Sequence, residues 1–185
     1  MRQRHPNELY HHGVKGQKWG IRRYQNPDGS LTYAGKARYR RQKAEKTRQD
    51  VDDIVNSLNE RDQKWLGTWQ EGYLSTEQGE WVVHRVLEKH GDTPIAFVDL
   101  LRDGDDLNIA LATRSGDEYR GKGYAKKLSK KAIAWAEKHP DLVENLTWGV
   151  RPDNIASRRL AEKLGFDIFS EDKDWAVYKR KVGEQ

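Results

Sequence analysis

The sequence of 185 residues contains no cysteine, which excludes disulfide bonds, cysteine nucleophiles and thiolate metal sites. It has no apolar run near the length that a membrane-spanning helix requires, so no membrane partner is expected. The opening residues, MRQRHPNELYHHG, lack the apolar core of a secretory signal. We therefore expect a soluble chain suited to a reducing compartment, with room for one domain and an appendage.

The charge is divided unevenly along the chain. Residues 1–48 hold 13 Lys and Arg against 3 Asp and Glu, a balance of +10, whereas the remaining residues hold 21 against 26, a balance of −5. The pattern predicts a basic N-terminal arm that includes the start of a helix, residues 1–48, followed by a mildly acidic domain, residues 49–185.

The spacing of apolar residues predicts the secondary structure. It indicates a helix over residues 36–66, solvated at first and then packed through Val51, Ile54, Val55, Leu58 and Trp65. Further helices are predicted over 125–139 and 155–164, the second ended by Gly165. The predicted strands are 81–89, 94–102, 107–112, 146–150 and a closing hairpin of 166–170 with 174–181. This order indicates an α/β or α+β fold with a mixed sheet.

A glycine-rich loop, YRGKGYA at residues 119–125, lies between a predicted strand and a predicted helix. The first turn of a helix has unpaired N–H groups and the positive end of the helix dipole, and glycines allow a bound group to approach the backbone. An anion such as a phosphate is the ligand that this arrangement suits. A tight turn that binds nothing is the alternative.

A nucleoside triphosphate loop is a weaker interpretation of the same segment. Gly116, Gly121 and Lys122 have the spacing G-x-x-x-x-G-K, but that motif continues with a Ser or Thr that holds magnesium. Here Gly123 occupies that position, so the metal ligand is missing.

Two segments resemble the GCN5-related N-acetyltransferase (GNAT) family. Residues 120–125, RGKGYA, resemble its coenzyme A pyrophosphate signature, in which Arg or Gln is followed by two residues, Gly, one residue, and Gly or Ala. Residues 154–166, NIASRRLAEKLGF, resemble the later segment in which an Asn precedes a short helix ending in Lys-Leu-Gly-Phe. The resemblance covers roughly residues 50–181 and implies a mixed, mostly antiparallel central sheet flanked by helices.

The resemblance implies an acetyl-CoA-dependent N-acetyltransferase whose acceptor is a primary amine. Backbone amides of the loop would hold the pyrophosphate, and Arg120 and Lys122 would add positive charge. The alternative for Lys122 is an exposed residue that contacts only solvent. The acyl carbonyl would lie at the end of the preceding strand. The segment that joins this strand to Arg120 is longer here than is usual in the family. Asn154 would lie along the coenzyme arm, or would only cap its helix. The implied coenzyme-binding residues are Leu111, Ala112, Thr113, Arg120, Gly121, Lys122, Gly123, Tyr124, Ala125, Asn154 and Ser157.

No catalytic residue is assigned from the sequence. The tyrosine that many family members use as an acid falls at Ala161, which leaves Tyr178 and Tyr124 as nearby phenols. The candidate bases are Asp99, Glu80 and His84, each of which is also an ordinary residue for a sheet surface. The second hypothesis is therefore a protein with the same fold that binds coenzyme or associates with a virion without turnover.

The N-terminal arm resembles a segment that recurs in tailed-phage and prophage proteins. The similarity spans about residues 9–39, with the core HG-(I/V)-KG-x-KWG-(I/V)-RR followed by DGSLT. It implies a phage-encoded protein in the cytoplasm of a bacterial host. The alternative is that the protein associates with a virion by binding a phage structural protein.

The arm has other interpretations. His11 and His12 have no carboxylate or cysteine at ligand spacing, so no metal site is expected. Nucleic acid is a possible but not favoured partner, since Lys and Arg are interleaved with Trp19, Tyr24, Tyr33 and Tyr39. The default interpretation of residues 36–48 is a solvated basic helix.

Overall fold

The computed structural model describes residues 24–64, 66 and 82–183. The chain divides into two compact units, Met1–Thr47 and Arg48–Gln185, and the division falls within the first helix, α1 (Tyr33–Asn56). In the first unit residues 26–30, NPDGS, form a turn: Gly29 adopts a φ of 84°, and Gln25 pairs with Leu31. The division into an N-terminal arm, residues 1–48, and an acetyltransferase-like domain, residues 49–185, stays a prediction.

The second unit is built on a six-stranded sheet. Its strands are β1 (Val82–His90), β2 (Thr93–Asp103), β3 (Asp106–Thr113), β4 (Asn145–Val150), β5 (Asp167–Glu171) and β6 (Ala176–Lys181), in the order β1-β2-β3-β4-β6-β5. Only the β3–β4 pair is parallel among these described strands. Helix α2 (Tyr124–Ala136) connects β3 to β4, and α3 (Ile155–Lys163) follows β4. The predicted fold class, a mixed and mostly antiparallel sheet flanked by helices, is confirmed.

The central strand β2 is buried on both faces, as its nearly continuous apolar run indicates, whereas the edge strand β5 is exposed throughout. On one face, Val98 and Leu107 pack with α2 residues such as Leu128, in a cluster that also includes Ala161 of α3. On the other face, Phe97 packs with the C-terminal part of α1. The periodicity of the sequence therefore directs each helix to its own side of the sheet.

The parallel pair separates after three residue positions. Asp106, Leu107 and Asn108 pair with Asn145, Leu146 and Thr147, and no later pairing joins β3 to β4. Each strand continues for several residues beyond the last pair, to Thr113 and to Val150. The two strands thus diverge and leave a gap in the middle of the sheet.

The prediction of one continuous helix over residues 36–66 is wrong about where the helix ends. Helix α1 ends at Asn56, and residues 60–64 form a separate helical turn. The Ser57 hydroxyl donates to the carbonyl of Ile54, and Asn59 Oδ1 accepts from the backbone N–H of Asp62. Short polar side chains at these positions compete for the backbone and start a new turn. Val51 and Ile54 are buried as predicted, whereas Trp65 lies outside the described residues.

Candidate functional site

A cleft of about 210 Å³ lies between the end of β3, the start of α2 and the start of α3. A smaller cavity of about 60 Å³ occupies the gap between β3 and β4, and the two share Leu66, Leu111, Asn154 and Ser157. Six of the eleven residues predicted to bind coenzyme line the cleft: Leu111, Ala112, Thr113, Ala125, Asn154 and Ser157. The structure thus brings together segments that are about 40 residues apart in the sequence.

The glycine loop gives α2 an open N-terminus. Gly121 and Gly123 have φ values of 70° and 81°, in the left-handed region that favours glycine. Gly123 is the N-cap residue, and a Cβ at either glycine would meet no atom within 4 Å. Among the described residues, the backbone N–H groups of residues 121–125 have no hydrogen-bond acceptor. The loop therefore presents a set of free donors at the positive end of a helix dipole, which suits a phosphate group.

The charged and aromatic side chains of the loop do not line the cleft. Arg120 and Lys122 are exposed, and neither forms an ion pair within the part of the chain that the structure describes. The Tyr124 hydroxyl lies 3.1 Å from His90 Nε2, on β1. Of the predicted loop residues, Ala125 lines the cleft and residues 120–124 do not.

Asn154 caps α3 and also lines both cavities. Its Oδ1 accepts a hydrogen bond of 3.1 Å from the backbone N–H of Ser157. The predicted capping role is therefore present, and it fixes the orientation of a side chain that forms part of the cleft wall.

Four cleft residues were missed in the sequence: Leu58, Asp62, Leu66 and Arg151. Asp62 Oδ1 lies 2.8 Å from Arg151 Nη1, and its Oδ2 accepts from Asn59 Nδ2 at 2.8 Å. Within the part of the chain that the structure describes, Asp62 and Arg151 are the charged side chains that line the cleft. The segment NERD at residues 59–62 signals a helix start, but nothing in the sequence pairs it with Arg151, which is 89 positions away.

The candidate bases are engaged elsewhere. Asp99 is buried and accepts two hydrogen bonds of 2.6 Å from Arg85. Burial raises the pKa of the Asp99 carboxyl, and the Arg85 guanidinium opposes that rise. His84 stacks on Trp135 with ring centroids 4.6 Å apart, and burial, with the nearby His139, lowers its pKa. None of these lines the cleft, and Glu80 lies outside the described residues.

The candidate acids are no better placed. The Tyr178 hydroxyl is buried, accepts from Arg158 Nε at 3.0 Å and donates to Glu162 Oε1 at 3.1 Å. Tyr124 contacts His90, as described above, and Ala161 is fully buried. The hydroxyls that line the cleft among the described residues are those of Thr113 and Ser157.

The described residues form neither a metal site nor a membrane-spanning helix. No three or more His, Asp or Glu side chains lie close enough together to hold a metal ion in this part of the chain. Across the same residues, no helix combines the length and the apolar character that crossing a bilayer demands. His11 and His12 lie outside the described residues.

Comparison with known proteins identifies the family. A profile of the acetyltransferase (GNAT) domain matches residues 20–167, well over half of the chain, although no curated protein sequence matches. Three similar structures share the fold at low identity. The PaiA N-acetyltransferase of Thermoplasma acidophilum, solved with coenzyme A, is 15% identical over 72% of this chain and 92% of its own, with a TM-score of 0.56. A GNAT-family protein of Desulfovibrio desulfuricans is 12% identical over 73% and 92%, with a TM-score of 0.57. The ribosomal-protein-S18-alanine N-acetyltransferase of Escherichia coli is 21% identical over 63% and 79%, with a TM-score of 0.53. The chain belongs to the GNAT acetyltransferase family.

Proposed function

We propose that the chain is an N-acetyltransferase that moves an acetyl group from acetyl-CoA to a primary amine. Membership of the family supports acetyl transfer with acetyl-CoA as the donor. The observation that carries the proposal is the divergence of β3 from β4, which opens a gap beside an unpartnered glycine loop. A long ligand with a phosphate at one end and a narrow arm at the other fits this combination.

The residues present fit acetyl-CoA in two parts. The free N–H groups from Gly121 to Ala125 would hold the pyrophosphate, and Arg120 and Lys122 would add positive charge on the approach. The gap between β3 and β4 would take the pantetheine arm, with Asn154 and Ser157 along its side. The thioester would then lie at the end of β3, in the cleft that Leu111, Ala112 and Thr113 line.

The chain contributes mainly positioning and charge to the reaction. Acetyl-CoA supplies a thioester carbonyl that a neutral amine can attack. Among the described residues, Asp62 is the carboxylate that lines the cleft, so it is the group suited to bind the incoming ammonium and to receive its proton, directly or through water. Arg151 holds Asp62 in place through their 2.8 Å ion pair. The hydroxyl groups of Thr113 and Ser157 are available to pass a proton towards the departing sulfur.

A second candidate function is coenzyme binding without turnover. The observation in its favour is Ala161, which occupies the position where many family members have a tyrosine that acts as a general acid. The Tyr178 hydroxyl is hydrogen-bonded to Arg158 and Glu162. The described cleft residues include no phenol, which is compatible with binding, and a reaction there would depend on water or on the two hydroxyls named above.

A thiol-release assay separates the two candidates. The purified full chain is incubated with acetyl-CoA and a panel of primary amines, including a lysine derivative, a polyamine, an aminoglycoside and an amino-acid amide. We expect release of coenzyme A above background with at least one amine. Binding of acetyl-CoA without release for any amine would favour the second candidate.

Substitution of Asp62 tests its assigned role once an acceptor is found. We expect Asp62→Asn to lower kcat/KM at least tenfold without changing the Kd for acetyl-CoA. The matched control is Asp153→Asn, because Asp153 contacts Arg151 at 3.3 Å but does not line the cleft. Equal losses in both variants would mean that Asp62 only supports the ion-pair network.

The acceptor and the biological origin remain predictions. The net charge of −5 on residues 49–185 gives slight support to a cationic acceptor, and a protonated amine is such a cation. The similarity of residues 9–39 to phage segments supports a phage or prophage origin and association with a virion. Residues 9–23 of that segment lie outside the described residues.

A further inference from the structure

One side of the first half of α1 carries cations and tyrosines and no acid. These cations and tyrosines recur at steps of three and four residues, which places them on one face of the helix. We define this basic tyrosine stripe as Tyr33, Lys36, Tyr39, Arg40, Lys43 and Lys46. All six side chains are exposed, with Tyr33 at 90% and Tyr39 at 59%.

The stripe has no neutralising partner in the part of the chain that is described. None of its four cations lies within 4 Å of a carboxylate there. Like charges three or four residues apart repel one another and destabilise a helix, as Lys36 with Arg40 and Arg40 with Lys43 must do here. A bound polyanion would remove this repulsion.

The described contacts of the N-terminal unit leave the stripe open. Residues 24–32 meet the helix at Gly35, where a Cβ would be 2.1 Å from the Tyr24 carbonyl oxygen, and at Arg38, whose guanidinium lies 4.9 Å from the Tyr24 ring centre. Neither residue belongs to the stripe. Glu45, the single acid of residues 36–48, lies on the helix side of Arg41, away from the stripe.

We propose that the basic tyrosine stripe binds single-stranded nucleic acid without strong sequence preference. Its cations would contact phosphates, and its exposed tyrosines would stack on unpaired bases. The two tyrosines favour nucleic acid over an acidic protein surface, because an exposed aromatic ring can stack on an unpaired base, whereas a carboxylate makes no use of it. This role is separate from acetyl transfer and does not depend on it.

The test measures fluorescence anisotropy of a fluorescein-labelled 24-nucleotide single-stranded DNA titrated with the full chain. At 50 mM KCl we expect a micromolar Kd. Four neutralised phosphates give a slope of about −3 for log K against log salt, so raising KCl to 200 mM should weaken binding about 50-fold.

Two pairs of substitutions locate the surface on the helix. Arg40→Gln with Lys43→Gln should weaken binding at least tenfold and roughly halve the salt slope. Arg41→Gln with Arg48→Gln removes the same charge from the other side of the same helix and should change the Kd less than threefold. Because Gln is a good helix former, both variants should retain the helix, which circular dichroism checks.

The tyrosines distinguish nucleic acid from other polyanions. Tyr33→Ala with Tyr39→Ala should weaken binding to single-stranded DNA about tenfold with an unchanged salt slope. Poly-L-glutamate should compete poorly. The proposal is overturned by an absence of binding at 50 mM KCl or by equal losses in the two arginine-containing pairs. It is equally overturned if poly-L-glutamate competes as well as DNA while the tyrosine variant binds normally, a result that would indicate an acidic protein partner.

Discussion

Gly123 offers the sharpest test of the loop, because its position in front of α2 is unobstructed. It caps the helix with a φ of 81°, and a Cβ there would meet no atom within 4 Å. A side chain at this position would therefore extend into open space next to the N–H groups of residues 121–125, which would hold a pyrophosphate in the proposed function. We expect Gly123→Asp to abolish most acetyl-CoA binding while the fold remains intact.

The effect on stability should be small. A left-handed φ costs an L-residue about 1–2 kcal/mol, whereas a carboxylate at a helix N-terminus contributes about 0.3–1 kcal/mol of stabilisation. The net loss in the free energy of unfolding is therefore about 1 kcal/mol, which a folded domain tolerates.

The effect on binding should be much larger. Two unit charges about 5 Å apart repel by about 1 kcal/mol in water and by about 3 kcal/mol at an effective dielectric constant of 20. A pyrophosphate brings two such charges, so the total is at least about 2 kcal/mol. That corresponds to a loss of affinity of about 30-fold or more.

Gly123→Asn is the matched control. Asn has nearly the same size as Asp and tolerates the left-handed region, but it carries no charge. Isothermal titration with acetyl-CoA should show a loss in the Asn variant that is at least tenfold smaller than in the Asp variant, and urea unfolding should show similar stabilities. Equal affinities for the two variants would refute the reasoning, since the charge would then not face the phosphates.

Three further predictions concern stability. Arg85→Ala should lower the free energy of unfolding by about 3–5 kcal/mol in urea, because buried Asp99 loses its partner; a loss below about 1 kcal/mol would contradict this. Asn154→Ala should cost about 1 kcal/mol and Asn154→Asp, which keeps the cap, less than about 0.5 kcal/mol; equal losses would argue against the capping role. Below pH 6.5 the melting temperature should fall, because the pKa of His84 is lowered in the folded chain and the unfolded chain therefore takes up the proton first. His84→Phe should reduce this slope, and an unchanged slope would exclude His84 as its source.

The elements of the sheet could be predicted because their signals are local. The alternation in LNIALA places Leu107 and Ile109 on one face, and both are buried against α2 as that pattern implies. Gly165 ends α3 with a φ of 78°, and the N–H of Phe166 donates to the carbonyl of Ala161, a hydrogen-bonded helix end that glycine favours.

The cleft could be predicted only in part. The resemblance to the family implied residues 111–113, Asn154 and Ser157, which line the cleft, whereas Asp62 and Arg151 meet only through tertiary packing. No local pattern joins two residues that are 89 positions apart. The break after Asn56 was missed because the apolar spacing continues through it, and only the hydrogen bonds of Ser57 and Asn59 end the helix.

The most direct test of the proposed function is calorimetric titration of the full chain with acetyl-CoA, with Mg·ATP as the control ligand. The free N–H groups at the glycine loop and the gap between β3 and β4 predict a micromolar Kd for acetyl-CoA and no response to ATP. Absence of heat and of competition by coenzyme A would contradict the assignment of the loop and the gap to acetyl-CoA.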